Sequence, residues 1–277
     1  MKKNVLVSLA ATALLGACVI GAPFSSANLS ASAQSEKRYY DYTVSVARSA
    51  TTEYVYYTNR VDDEITTAYG MPFYYATGDL TNACGAVAGT EIVGFYDRYY
   101  ENLIPNYTPY YASSGKYRIQ DYTYIPPVMQ DMYTRMRTNV DDVGVSETDC
   151  KNGLKSYFTS KGLTLSYSSV KSGSSFSYSL YKQAIDANKP VLLFCTDLKL
   201  TSITYNTTED LLTTTDTTGS HIIVGYGYYT INYYNNGTLF RTDDYILAAN
   251  GQSITKDINV RVGDNAWFDA GYAVSVS

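Results

Sequence analysis

The strongest constraint on the fold is a change of periodicity at Lys189-Pro190. Before it, apolar residues recur at helical spacings; after it, they come in short β-rich runs. Proline cannot continue a helix, so the two regimes part there. On the helical side, Val87, Ile92, Val93, Phe95 and Tyr96 predict a helix from Ala83 to about Asn102, short of Pro105, with Asn82 as its N-cap. Gly89 and Gly94 each weaken it by about 1 kcal/mol but permit close packing. Further helices are expected over Pro126–Val140, from Ser146 to near Gly162, and over Ser175–Asn188, the last with Phe176, Leu180 and Ile185 on one side. Val191–Cys195, His221–Tyr229, Thr238–Arg241, Tyr245–Ala249 and Ala270–Val276 read as strands, and Asn236-Gly237 as a hairpin turn. The threonine-rich stretch 206–220 reads as an exposed loop ahead of His221. Helices first and strands later predict an α+β fold, with the helices segregated from an antiparallel sheet.

The 277 residues are 45% apolar, enough for one large domain or two small ones and too apolar for wholesale disorder. The net charge of −5 argues against a nucleic-acid partner, whose phosphates need Lys and Arg. Thirty-one tyrosines with few lysines suit an extracellular surface. Lys2-Lys3, the apolar run Val5–Phe24 and the small-residue stretch containing Ala31-Ser32-Ala33 are laid out as a secretory signal peptide over residues 1–33. The alternatives are a membrane anchor or a lipoprotein signal ending at Cys18, against which the apolar run continues past that cysteine. Residues 38–58, with the alternating Tyr42-Thr43-Val44-Ser45-Val46, read as one or two strands or an extended arm; 34–70 as a whole is taken as an extended arm or short pro-segment, and 71–277 as the main domain. A secreted chain cut after residue 33 keeps Cys84, Cys150 and Cys195, an odd number that leaves one thiol over. Parity and an oxidising compartment suggest a Cys150–Cys195 disulfide, with two buried thiols as the alternative.

Three short segments carry candidate chemistry. Cys84 in Asn82-Ala83-Cys84-Gly85 opens the first helix, where unsatisfied N–H groups and the positive dipole end favour thiolate. A buried structural cysteine is the plainer reading. His221 in Ser220-His221-Ile222-Ile223-Val224-Gly225 opens an apolar strand and is the chain's one histidine. A satisfied core histidine is the usual role of such a residue, but any imidazole that activates a cysteine here must be this one. Asn250, in Ala249-Asn250-Gly251, ends a strand expected near the histidine strand. A carbonyl there would accept from the imidazole N–H and fix its tautomer; a turn Asn-Gly is the bland alternative.

In this order and setting, Cys84, His221 and Asn250 resemble a papain-like cysteine peptidase. The Cys84 to His221 separation falls within the roughly 130–150 residues of that family's pattern. His221–Gly227, Asp244–Gly251 and Gly271–Val274 are similar to its histidine, asparagine and terminal strands. The segment at Cys84 is closer to bacterial relatives, the double-glycine leader peptidases and similar secreted proteins, over about residues 70–277. The resemblance makes 71–277 a papain-like peptidase domain and implies a helical half, an antiparallel β half and a cleft between them holding a solvent-facing thiolate–imidazolium pair that cleaves a protein or peptide substrate. It departs from the family at Gly78, where papain-type enzymes carry the glutamine that donates to the oxyanion. Asn82 is the substitute considered first, and Tyr74 and Tyr75 are others; Trp267 could reach back to shield Asn250.

Three rivals remain: a catalytically silent papain-like binding module, a peptidoglycan endopeptidase or amidase, and a tyrosine-rich adhesin. No metal, nucleotide or other cofactor is expected, because one histidine without a C-x-x-C pair gives no ligand set and no phosphate-binding glycine motif occurs. The expected state is a secreted or cell-surface monomer without stable membrane insertion.

Overall fold

A computed structural model describes residues 36–40, 43–44, 50–68, 70–107, 110–111, 117–118, 123–140, 143–252, 257–263 and 265–277. The expected signal segment 1–33, with Cys18, lies outside these residues. The described part opens with β1 (Arg38–Tyr39), β2 (Thr43–Val44), β3 (Thr51–Tyr56), β4 (Asn59–Thr66) and α1 (Cys84–Asp97). There follow β5 (Tyr110–Tyr111), β6 (Tyr117–Arg118), α2 (Ile125–Arg135), β7 (Val145–Ser146), α3 (Glu147–Ser160), β8 (Leu165–Ser169), β9 (Lys171–Ser172), β10 (Ser175–Phe176) and α4 (Tyr178–Asp186). The strand-rich remainder is β11 (Val191–Thr196), β12 (Lys199–Tyr205), β13 (Glu209–Thr218), β14 (Ser220–Asn235), β15 (Thr238–Ala249), β16 (Asp257–Arg261) and β17 (Phe268–Val276).

The fold is α+β, with four helices and one large antiparallel sheet among the described residues. The sheet runs β2-β13-β12-β16-β15-β14-β11-β17-β8, with β3 added to β13 and β4 to β14. Strand β14 organises it. Its first half pairs with β11, its second half with β4, and β15 lines its other edge. Asn236 and Gly237, at φ 49° and 78°, make the tight turn between β14 and β15. Alternation along β11 sends Leu192 and Phe194 into one core and Val191, Leu193 and Cys195 into another. A sheet covered on both faces needs apolar residues at successive positions, so these strands appear in the sequence as unbroken apolar runs.

Helix α1 is buried along its whole length, its mostly apolar or small residues taking Thr90, Glu91 and Asp97 into the core with them. Its glycines let neighbours in: a Cβ on Gly89 would lie 2.7 Å from Met136 Cε, and one on Gly94 2.5 Å from the Tyr74 hydroxyl. Helix α3 starts where expected, with Ser146 Oγ accepting from Asp149 N at 3.0 Å. Four readings are corrected. The N-cap of α1 is Ala83, without a side-chain bond, because Asn82 takes a left-handed φ of 51°. Helix α2 stops at Arg135, not Val140, because Arg137 at φ 50° and Asn139 at φ 60° turn the chain away. On α4 the buried side is Tyr181, Ala184 and Ile185, and Leu180 faces solvent. The threonine-rich stretch is no loop: β13 pairs along its length with β12 and β3, as β-branched threonine favours.

From Glu36 onward the chain belongs to one compact unit. Strands β3 and β4 are integral to the sheet, and β3 falls in the stretch 38–58 for which one or two strands were an expected reading. The proposed Cys150–Cys195 disulfide is absent: Cys84, Cys150 and Cys195 are all buried, and none forms a disulfide. Cys150 lies in the helix-side core and Cys195 in the other, on opposite faces of the sheet.

Candidate active site

The first turn of α1 sits against the beginning of β14. A Cβ on Gly85 would lie 3.4 Å from Ile222 Cδ1, and one on Gly251 would lie 3.1 Å from Val87 Cγ1. Cys84, His221 and Asn250 each adjoin one of these contacts, so the fold brings together the three segments that the sequence had kept far apart. Cys195 is the direct cross-strand partner of His221. Burial pushes the Cys195 thiol up, and the nearby Asp269 and Cys84 push it further. Burial likewise raises Cys150. Both are held as neutral thiols, while Cys84 alone stands at the first position of a helix.

The imidazole is aimed by the main chain. His221 Nε2 lies 2.8 Å from the Asn250 backbone carbonyl oxygen. A carbonyl only accepts, so Nε2 carries the proton and Nδ1 is the basic nitrogen of the neutral ring. The Asn250 side chain does something else: its Oδ1 accepts from Gln252 N at 2.9 Å and closes the turn at Gly251, where φ is 69°. The asparagine residue is where expected, but the atom serving the histidine belongs to the backbone.

The remaining candidates fall elsewhere. Asn82 Nδ2 donates to Asn139 Oδ1 at 2.8 Å, and Asn139 Nδ2 donates to Thr81 Oγ1 at 3.0 Å. Asn82 therefore clamps the start of α1 to the loop that leads to β7. The Tyr74 hydroxyl is buried against that of Tyr107 at 3.0 Å. Tyr75 pairs with Gln252, beside the Asn250 turn. Gly78 carries no side-chain donor; it lies, with Tyr75, Leu80 and Gln130, on the wall of an open cavity of about 710 Å3. Trp267 packs on Phe176 at 5.3 Å and Phe268 at 5.7 Å, in the core away from α1, and does not shield Asn250.

Burial departs most from expectation. Cys84 and His221 are each 1% exposed, where a cleft open to solvent was expected. The segment crossing the front lies within residues 34–70, the stretch read as an extended arm or short pro-segment. Tyr39 pairs with Val145, whose Cγ1 would meet a Cβ on Gly85 at 2.7 Å, and Tyr40 N donates to Ser220 O at 3.2 Å, next to His221.

Among the described residues, no group of three or more His, Cys, Asp or Glu is placed to hold a metal ion, and no helix is long and apolar enough to cross a membrane. The chain matches no protein-family model, no curated protein and no solved structure.

Proposed function

We propose that this chain is a secreted cysteine peptidase of papain-like architecture that cleaves protein or peptide substrates through Cys84 and His221. The observation that carries the reading is the 2.8 Å contact of His221 Nε2 with the Asn250 carbonyl, made where the first turn of α1 meets β14. It commits Nδ1 to proton exchange beside the helix start that bears the sulfur. Nδ1 takes the thiol proton, and Sγ adds to the substrate carbonyl carbon. The leaving amine then takes that proton from the imidazolium. Water, deprotonated by the same nitrogen, releases the acyl group from the thioester. The first-turn N–H of Cys84, on the same residue as the sulfur, is the oxyanion donor of choice. With Gly78 and Asn82 offering no side-chain amide, the hole is one donor poorer than in papain-type enzymes, worth roughly a hundredfold in rate.

Near-complete burial of Cys84 and His221 favours a second reading, the catalytically silent binding module. Labelling with a thiol-directed peptidyl epoxide at mildly acidic pH separates the two. The peptidase reading expects modification of Cys84 in the wild type and none in His221→Ala. Labelling that is equal with and without the imidazole removes the activated pair and leaves the silent fold.

A further inference from the structure

We propose that the groove beside Cys84 and His221 is a binding site for an extended peptide carrying tyrosine, and that this chain fills it with its own residues Lys37–Tyr40, which hold the site closed. What the groove does when open rests on the peptidase reading; its occupancy does not.

The segment is seated as a bound peptide would be. Its backbone adds to β7 as an antiparallel strand, Arg38 opposite Ser146 and Tyr39 opposite Val145. One residue on, Tyr40 N reaches across to Ser220 O. Both docking edges adjoin the proposed pair, because Val145 abuts the position after Cys84 and Ser220 precedes His221. Main-chain pairing of this kind holds any extended peptide, and side-chain pockets then choose among sequences.

One side chain is chosen. Tyr39 is 3% exposed, while Glu36, Lys37 and Tyr40 around it are exposed. Its ring stands edge-on to Phe194, with centroids 5.0 Å apart. Its hydroxyl faces Asp269; burial first, then the charges of Asp269 and Glu147 and the nearby Cys195, push its ionisation well above the usual tyrosine range. Asp269 is itself held by Thr196 Oγ1 at 2.7 Å and by Lys37 Nζ at 2.8 Å. An apolar wall ending in a fixed carboxylate accepts tyrosine in preference to phenylalanine or an aliphatic residue, since the phenol supplies the donor the carboxylate needs.

The walls are cut for a backbone. Gly144 has φ +72°, and a Cβ there would lie 2.0 Å from the Tyr39 carbonyl oxygen. On the other side, a Cβ on Gly219 would meet the Tyr40 ring at 3.1 Å. The anchors outside the pocket are surface contacts: Glu36 Oε1 accepts from Thr148 N at 3.0 Å at the start of α3, and Lys37 Nζ donates to Thr196 Oγ1 at 2.5 Å. A segment with one buried side chain can leave without unfolding the core.

The test uses the full chain and reads Cys84 alkylation by iodoacetamide, mapped by peptide mass spectrometry. Tyr39→Ala and, as a surface-only control on folding, Glu36→Ala/Lys37→Ala are expected to label Cys84 at least tenfold faster than wild type. The hexapeptide of residues 35–40, added to Tyr39→Ala, is expected to slow labelling again, and the same peptide with alanine in place of Tyr39 is not. Equal labelling rates in wild type and both folded variants overturn the proposal, as does equal protection by the two peptides. Cleavage of tyrosine peptides is assayed in parallel. Faster labelling without cleavage supports the occupied groove and removes the peptidase; cleavage with unchanged labelling does the reverse.

Discussion

Because the acceptor for His221 Nε2 is the carbonyl of residue 250, any side chain that preserves the local backbone preserves the aim of the imidazole. Asn250→Ala is therefore expected to lower kcat/KM less than tenfold, and Asn250→Asp, which keeps the acceptor for Gln252 N, less still. His221→Ala, which removes the base, is expected to lose a thousandfold or more, on the order of the losses when a triad member is removed. Steady-state kinetics on a fluorogenic peptide decide it, and a loss at Asn250→Ala equal to that at His221→Ala would show that the side chain matters after all. The sequence was informative about which segments adjoin and silent about which atoms meet. A cysteine at a helix start and a histidine opening an apolar strand are visible as patterns of type and spacing. That Asn250 turns its side chain to its own backbone is what the Asn-Gly turn alternative describes; that its main-chain carbonyl meets the imidazole depends on the pairing of distant strands, which no local pattern encodes.

Strand β13 shows what a composition-based reading loses. Ten residues rich in threonine and aspartate look like solvent, yet the register buries Asp210, Leu212 and Thr217. Asp210 is fully buried. It accepts from Arg60 at 2.9 Å and from the hydroxyls of Tyr57 and Tyr233 at 2.8 Å each, joining β13 to β4 and β14. The partners lie 150 and 23 residues away from Asp210 along the chain, so no local pattern announces them. Deleting the carboxylate takes the acceptor from the Tyr57 and Tyr233 hydroxyls and from one arm of Arg60, whose charge Asp62 still pairs. Asp210→Ala is expected to cost about 2–4 kcal/mol in urea unfolding, and a change under 1 kcal/mol would mean that the strand ends are loosely held. Helices α1 and α3 were readable because their apolar spacing is local; only the ends moved, where φ at single residues decides.

At the scale of the molecule, the α+β order was legible because a helix-to-strand switch is a feature of sequence itself, whereas cysteine pairing was not, since parity says nothing about which face of a sheet a residue takes. Stability should also carry a trace of how deeply α1 is set. Asp97 ends that helix, accepts from Ile104 N at 2.7 Å, and is pushed up to about 7, chiefly by burial and further by Glu101. Its folded pKa lies above the unfolded value near 3.8. Its favourable contribution is therefore complete at acid pH and fades as pH rises through about 7. Relative to Asp97→Asn, the wild type should lose stability between about pH 4 and 7, measured by chemical denaturation at each pH; parallel curves for the two proteins would contradict this. The run Glu36–Tyr40 is followed at once by β2, which is fastened to β13 through Thr217 and Thr218. So short a tether keeps the tyrosine at an effective concentration on the order of millimolar beside its pocket. An incoming peptide has to outcompete that standing neighbour, so weak or scarce peptides are turned away until something cuts or lifts the tether.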